Sequence, residues 1–294
     1  MTTPESFDRI GKPKVSRGLS PVAVLVRQHD RDRFQTVLFA PPQCREALFA
    51  LYAFNYEIAR VRESVQEPMI GQIRLQWWRD AIEAAFAGAA PRRHEVVEPL
   101  TMAIRGFGLS RAHFDRLIDA RERDLDDAPP ATLAALEDYA EGSSARLILL
   151  ALEALGAATL PARQAATDIG IGYALVGLIR AMPVHARIGR MMIPDDVATE
   201  AGLAPGDYAG LRGGPALRRA VATLAAAADR RLAAARAIAQ DLPRAALPAL
   251  LPARIATHAL QRLERVDFDP FAGAGIGDPL QSWRLAWAAW KGRF

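Results

Sequence analysis

Residues Cys44–Val65 read CREALFALYAFNYEIARVRESV. Leu48, Leu51, Tyr52, Ile58 and their neighbours fall three and four apart, which predicts an amphipathic helix with one buried side. Asn55, Ala59 and Glu63 follow one another at intervals of four and so share a helical face. Glu57, Arg60, Arg62 and Glu63 give that helix a polar side. Two readings stay open for it: a solvated face laced with ion pairs three and four residues apart, or the polar wall of a cavity.

The same period recurs in both directions from this segment. Ile70–Gly88, IGQIRLQWWRDAIEAAFAG, predicts a helix with Ile70, Ile73, Trp77, Ile82 and Phe86 inward and Gly88 as its stop. Ser110 is the expected N-cap of SRAHFDRLIDARERDL. Thr132–Gly156 predicts a helix interrupted near Gly142. Pro161–Met182 predicts one that opens near Pro161 and stops before Pro183. Helices over Pro215–Pro243, Leu247–Val266 and Gly277–Arg293 complete the chain. On the last, Trp283, Trp287 and Trp290 share a face that is expected to pack onto the rest, with a partner or membrane contact as the alternative. Alternating strands and internal repeats are lacking. The expectation is an all-α fold in a single domain over residues 21–294, preceded by a polar, flexible tail over 1–20.

Composition removes several classes of function. The 294 residues are 51% hydrophobic and 24% charged, ordinary for a globular chain. A lone cysteine, Cys44, rules out a disulfide framework and a thiolate metal cluster. The net charge is +4, and all but three of the 37 basic residues are arginine, scattered among acids along helices. That dispersal argues against a nucleic-acid stripe, although a basic excess suits an anionic membrane surface. The N-terminus shows no apolar secretory segment, and no uninterrupted apolar run reaches a membrane span. The expected location is cytoplasmic, with peripheral contact to the inner membrane as an option. GxxxxGK[ST], GxGxxG, HExxH and GxSxG are all absent. The five histidines are dispersed, and none sits at a metal-ligand spacing from another.

Arg180–Pro194, RAMPVHARIGRMMIP, gathers Arg180, Arg187 and Arg190 with no carboxylate before Asp195. It has the arginines of a phosphate site and no acid to hold a metal. Ion pairing with Asp168, Asp195 or Asp196 is the plainer account of the same arginines.

Four segments in this order and spacing resemble the squalene/phytoene synthase family: Leu38–Glu63, Gln72–Gly88, Ala120–Leu147 and Ile169–Pro194. The resemblance implies an all-α isoprenoid-synthase bundle around a central cavity. It also implies two DxxxD motifs on facing helices, whose paired carboxylates hold Mg²⁺ against a prenyl diphosphate. Here family spacing puts the acids of the first motif at Ala59 and Glu63, and those of the second at Ala181 and His185. One acid of four remains. Gly177 stands where the family has Asn, and Tyr56 where it has Arg, whereas Tyr52 and Asp124 match family residues. The resemblance therefore implies an anion pocket of Arg60, Arg180, Arg187 and Arg190, in a cavity lined by Asn55, Glu57, Ala59, Glu63, Gly177, Ala181 and His185. It implies no metal and no cofactor.

The departures have their own pattern. Ala53–Ser64, Leu178–His185, RVDFD at Arg265–Asp269 and QSWR at Gln281–Arg284 resemble a branch of the family that includes a mitochondrial assembly factor for respiratory complex I. That implies a non-catalytic protein that binds an isoprenoid, a prenyl diphosphate or a lipid and works with a complex I subunit. The alternative is a working prenyltransferase with altered sites, in which Glu63, Asp124 and Tyr52 act and Mg²⁺ is the cofactor.

Overall fold

The computed structural model describes residues 18–65, 67–204, 206–208, 213–272, 280–292 and 294. Most of the expected tail, residues 1–17, lies outside them. The described residues form helices and turns, with no strand among them. In chain order these are α1 (Pro21–His29), α2 (Arg31–Val37), α3 (Pro42–Ala59), α4 (Pro68–Phe86), α5 (Val97–Phe107), α6 (Arg111–Glu122), α7 (Leu133–Ala140), α8 (Arg146–Ala154), α9 (Leu160–Arg187), α10 (Asp195–Glu200), α11 (Pro215–Ala237), α12 (Leu247–Leu250), α13 (Pro252–Arg265) and α14 (Gln281–Lys291).

Local chemistry sets many of the boundaries. Ser20, Asp30, Thr132 and Thr159 cap α1, α2, α7 and α9, each accepting a first-turn N–H. Gly88, at φ 78°, takes the left-handed turn just past α4, and Gly108, at φ 62°, does so for α5.

α9 is the spine of the bundle. It packs along α11, α13, α8 and the turn Glu141–Ala145. Small residues make this possible: a Cβ at Gly170 would overlap the Ala145 backbone, and one at Gly172 would stand 3.1 Å from the Ala228 carbonyl oxygen. α3 packs against α1, α5 and α8. Its Phe54 is fully buried, edge-on to Trp78 at 5.3 Å and to Phe114 at 5.6 Å. Burying a side chain of that kind stabilises the fold by about 1.5–3 kcal/mol. α9 is the one described helix long and apolar enough to cross a bilayer, but half of its most apolar window is buried inside the bundle.

The structure corrects several expectations. α3 ends at Ala59, and the chain tightens into a 3₁₀ turn over Arg62–Ser64. Ser64 donates to the Val61 carbonyl there, and Pro68 forces Glu67 into extended backbone just beyond. The interruption expected near Gly142 is present, but as a change of helical type rather than a break in the chain's course. A π-helical turn over Glu141–Ala145 carries α7 directly into α8. α9 does not stop at Pro183, because the ring removes only one backbone bond while Met182 and Ala186 are buried on either side. α11 stops at Ala237, short of Pro243.

On α4 the buried stripe is Gly71, Leu75, Trp78, Ile82 and Ala85, so Ile70 and Ile73 face outward. On α14 only Leu285 and Ala288 are buried, against Leu247, Leu251 and Ile255. Two residues are about 200° of helix, which turns Trp283, Trp287 and Trp290 away from the bundle. They are 77%, 58% and 70% exposed, and the expected packing does not occur.

Candidate functional site

Two polar centres lie inside this apolar frame. The first is built on Asp124, in the 3₁₀ turn that closes α6. Leu125 seats against Gly71 of α4 and fixes that turn. Asp124 is almost fully buried. It accepts the Tyr139 hydroxyl at 2.8 Å, an Arg190 N–H at 2.7 Å and an Arg121 N–H at 3.2 Å. Arg121 also donates to the Tyr139 oxygen at 2.8 Å. Two guanidiniums thus share one carboxylate. Burial drives the Tyr139 phenol well above its usual range.

His185 adjoins this centre. Its carbonyl accepts the Arg190 N–H at 2.9 Å. Burial, and then the Arg190 charge, hold its imidazole below the usual histidine range, so it is neutral near pH 7. Its Nδ1 is buried with no hydrogen-bond partner, as is the Arg121 Nε.

The second centre joins α2 to α9. Asp32 accepts Arg180 at 2.9 Å, Tyr173 at 3.4 Å and Gln281 at 2.8 Å. Arg33 is buried, pairs with Asp30 at 2.7 Å and lies over the rings of Tyr173 and Tyr52 at 5.0 and 5.8 Å. Burial pushes the Tyr52 phenol up to about 12. The centres feel one another, because Arg33 repels Arg121. Together they place four guanidiniums (Arg33, Arg121, Arg180, Arg190) against three carboxylates (Asp30, Asp32, Asp124). Asn55 Oδ1 on α3 and Ser144 Oγ in the π turn are also buried without partners.

The structure brings together some of the sequence-derived candidates and separates others. Tyr52 and Asn55 are buried, Asp124 meets Arg190, and His185 adjoins that pair. Arg180 is drawn off to Asp32, and Arg187 is exposed with no ion pair among the described residues. The alternative partners for these arginines are used elsewhere. Asp168 pairs with Arg231, and Asp196 accepts the Leu133 N–H. Glu57 pairs with Arg60 at 3.4 Å beside a separate cleft of about 260 Å³ faced by Trp77, Trp78 and His94. Glu63 is exposed on the 3₁₀ turn, so it does not share a helical face with Asn55 and Ala59. Ala59, Gly177 and Ala181 are half-buried, and a Cβ at Gly177 would meet no atom within 4 Å. Sequence reasoning missed Asp30, Arg33, Arg121 and Tyr139. The three-residue spacing of Asp30 and Arg33, and of Arg121 and Asp124, was the signal available.

These residues do not fit a magnesium cluster. Ala59 and Ala181 offer no donor, the Asp124 oxygens are taken by guanidiniums and a phenol, and Glu63 stands apart on the surface. Among the described residues no group of three or more His, Cys, Asp or Glu side chains could hold a metal. What the arrangement offers is one more guanidinium than carboxylate, the surplus resting on the half-exposed Arg180, edged by unpartnered polar atoms and aromatic rings. That suits an anionic head group on an apolar body.

Comparison with known proteins agrees with the fold. The profile of the squalene/phytoene synthase family matches residues 26–291. The chain is 34% identical over 247 residues to NADH dehydrogenase (ubiquinone) complex I, assembly factor 6, of Mus musculus, covering 84% of this chain and 74% of that one. It is 27% identical over 186 residues to presqualene diphosphate synthase of Sinorhizobium fredii, covering 63% and 66%. The solved squalene synthase HpnC of Alicyclobacillus acidocaldarius superposes with a TM-score of 0.75 at 20% identity, over 85% of this chain and 94% of that one. The bundle, the ordered segments and the matched span together show that this chain belongs to the squalene/phytoene synthase family.

Proposed function

We propose that this chain is a non-catalytic member of its family. In this reading it serves as an assembly factor for an NADH dehydrogenase of the complex I type and carries an isoprenoid or lipid with an anionic head. The observation that carries the reading is the state of Asp124. It is a candidate catalytic carboxylate, and it is consumed by Arg121, Arg190 and Tyr139. Two of the four acid positions expected from the family motifs are alanine. Ionising an allylic diphosphate requires cations bridging its oxygens, and this donor set cannot gather them. Of the arginines that would contact diphosphate in the family, Arg190 remains at this centre and is joined there by Arg121, which supports a capacity to hold an anion without cleaving its carbon–oxygen bond. The name of the murine relative supports the assembly role. We place the anionic head between Arg121, Arg190 and His185, with Tyr52 and Tyr173 on the apolar side. Neither metal nor other cofactor enters this reading.

The likeness to a presqualene diphosphate synthase favours the rival reading, a prenyltransferase working through Glu63, Asp124 and Tyr52 with Mg²⁺. The two part cleanly in a deletion strain. Loss of the chain is expected to lower assembled NADH dehydrogenase while prenyl products stay constant, with rescue by both the wild type and Glu63→Ala. Altered prenyl products, or failure of Glu63→Ala to rescue, would favour the enzyme.

A further inference from the structure

The C-terminal helix α14 presents a surface that the pocket reading does not use. Trp283, Trp287 and Trp290 stand on one face, all largely exposed, while Leu285 and Ala288 on the other face anchor the helix. The rings of Trp287 and Trp290 lie 5.1 Å apart, and the Lys291 ammonium sits 4.8 Å above Trp287. Trp290 also borders an open groove of about 530 Å³ with Phe39, Leu247, Pro248 and the exposed Arg244. Leu38, next to Phe39 of this groove, and Leu280, which precedes α14, are also exposed. The helix carries Arg284 and Lys291 and no acid.

We propose that this face docks on the interface of an anionic lipid bilayer. Indole rings combine a large apolar body with one polar N–H and settle at the head-group boundary. A short helix with aromatic residues on its outer side and basic residues among them lies in that plane. Lys291 and Arg244 supply the charge complementary to anionic head groups, and the apolar groove beside Trp290 receives the ends of acyl chains. The aromatic rings contribute depth and the basic groups select composition. The inference stands on α14 and its neighbours, independently of whether the interior holds a ligand.

Flotation with vesicles of phosphatidylcholine and phosphatidylglycerol in a 3:1 ratio tests it, with pure phosphatidylcholine vesicles alongside. The full chain is expected to float with the anionic vesicles and far less with the neutral ones. The triple variant W283A/W287A/W290A should partition about tenfold less or worse. R244E/K291E should lose the preference for anionic vesicles. All substituted side chains are exposed, and unchanged thermal melts confirm folding. Equal partition of wild type and triple variant would overturn the proposal, as would absence of wild-type flotation. A wild-type dimer that the tryptophan substitutions disperse in sedimentation velocity would overturn it too, by assigning the face to a second copy of the chain.

Discussion

Asp124 shows how one side chain can be readable and still be misjudged. Its match to a residue of the squalene/phytoene synthase family marks it as a candidate carboxylate in sequence. What it contacts is decided by Tyr139 and Arg190, 15 and 66 residues away, which no local period reports. Asp124→Asn would strand two guanidiniums beside an uncharged amide. Breaking a buried ion pair from one side costs about 3–5 kcal/mol, and urea denaturation should show a loss of that size. Arg180→Ala, at a half-exposed pair with Asp32, should cost no more than about 1 kcal/mol in the same assay. Glu153 gives a pH test. Burial would raise its pKa, but hydrogen bonds from His113 and Ser110 outweigh that and lower it to about 2. A carboxylate lowered on folding adds stability above its unfolded pKa and loses it as pH falls toward the folded value. Wild-type stability should therefore decline between about pH 4.5 and 2. Glu153→Gln should cost about 1–3 kcal/mol at pH 7 and flatten that decline, both readable from chemical melts at a series of pH values.

At the scale of elements, α9 carries the most specific demand. Gly170 lies against the Ala145 backbone, whereas Gly177, two turns on, faces open space. Gly170→Ala should destabilise by about 1–3 kcal/mol, because the π turn must give way. Gly177→Ala should stabilise by about 0.5–1 kcal/mol, since it only removes backbone freedom from a helix interior. Thermal melts of the two variants should move in opposite directions. The sequence made the existence of α3, α4, α8 and α9 plain through their period, and it placed the starts of α7 and α9 near Thr132 and Pro161, without naming Thr159 as the α9 cap. It did not reveal where α3 tightens at Arg60, that Pro183 is absorbed, or that Gly142 sits in a π turn. Each of those is settled by packing against another helix. The face of α14 was misread for a related reason: three tryptophans look like core until Leu285 and Ala288 are seen to take the buried side.

For the whole molecule, the all-α bundle was legible because helical period, capping residues and four ordered segments agreed. The interior was only half legible. Missing carboxylates at Ala59, Ala181 and His185 are visible in the sequence, but the gathering of Arg121 and Tyr139 at Asp124, and of Arg33 at Asp30, is a property of the assembled fold. The consequence is a scaffold whose buried charges are paired, with one guanidinium in excess at the half-exposed Arg180 and no gathered metal donors among the described residues. The most direct test is pyrophosphate release from farnesyl and geranylgeranyl diphosphate by the purified chain with Mg²⁺. No release above the protein-free control is expected. Sustained turnover that Glu63→Ala abolishes would contradict it.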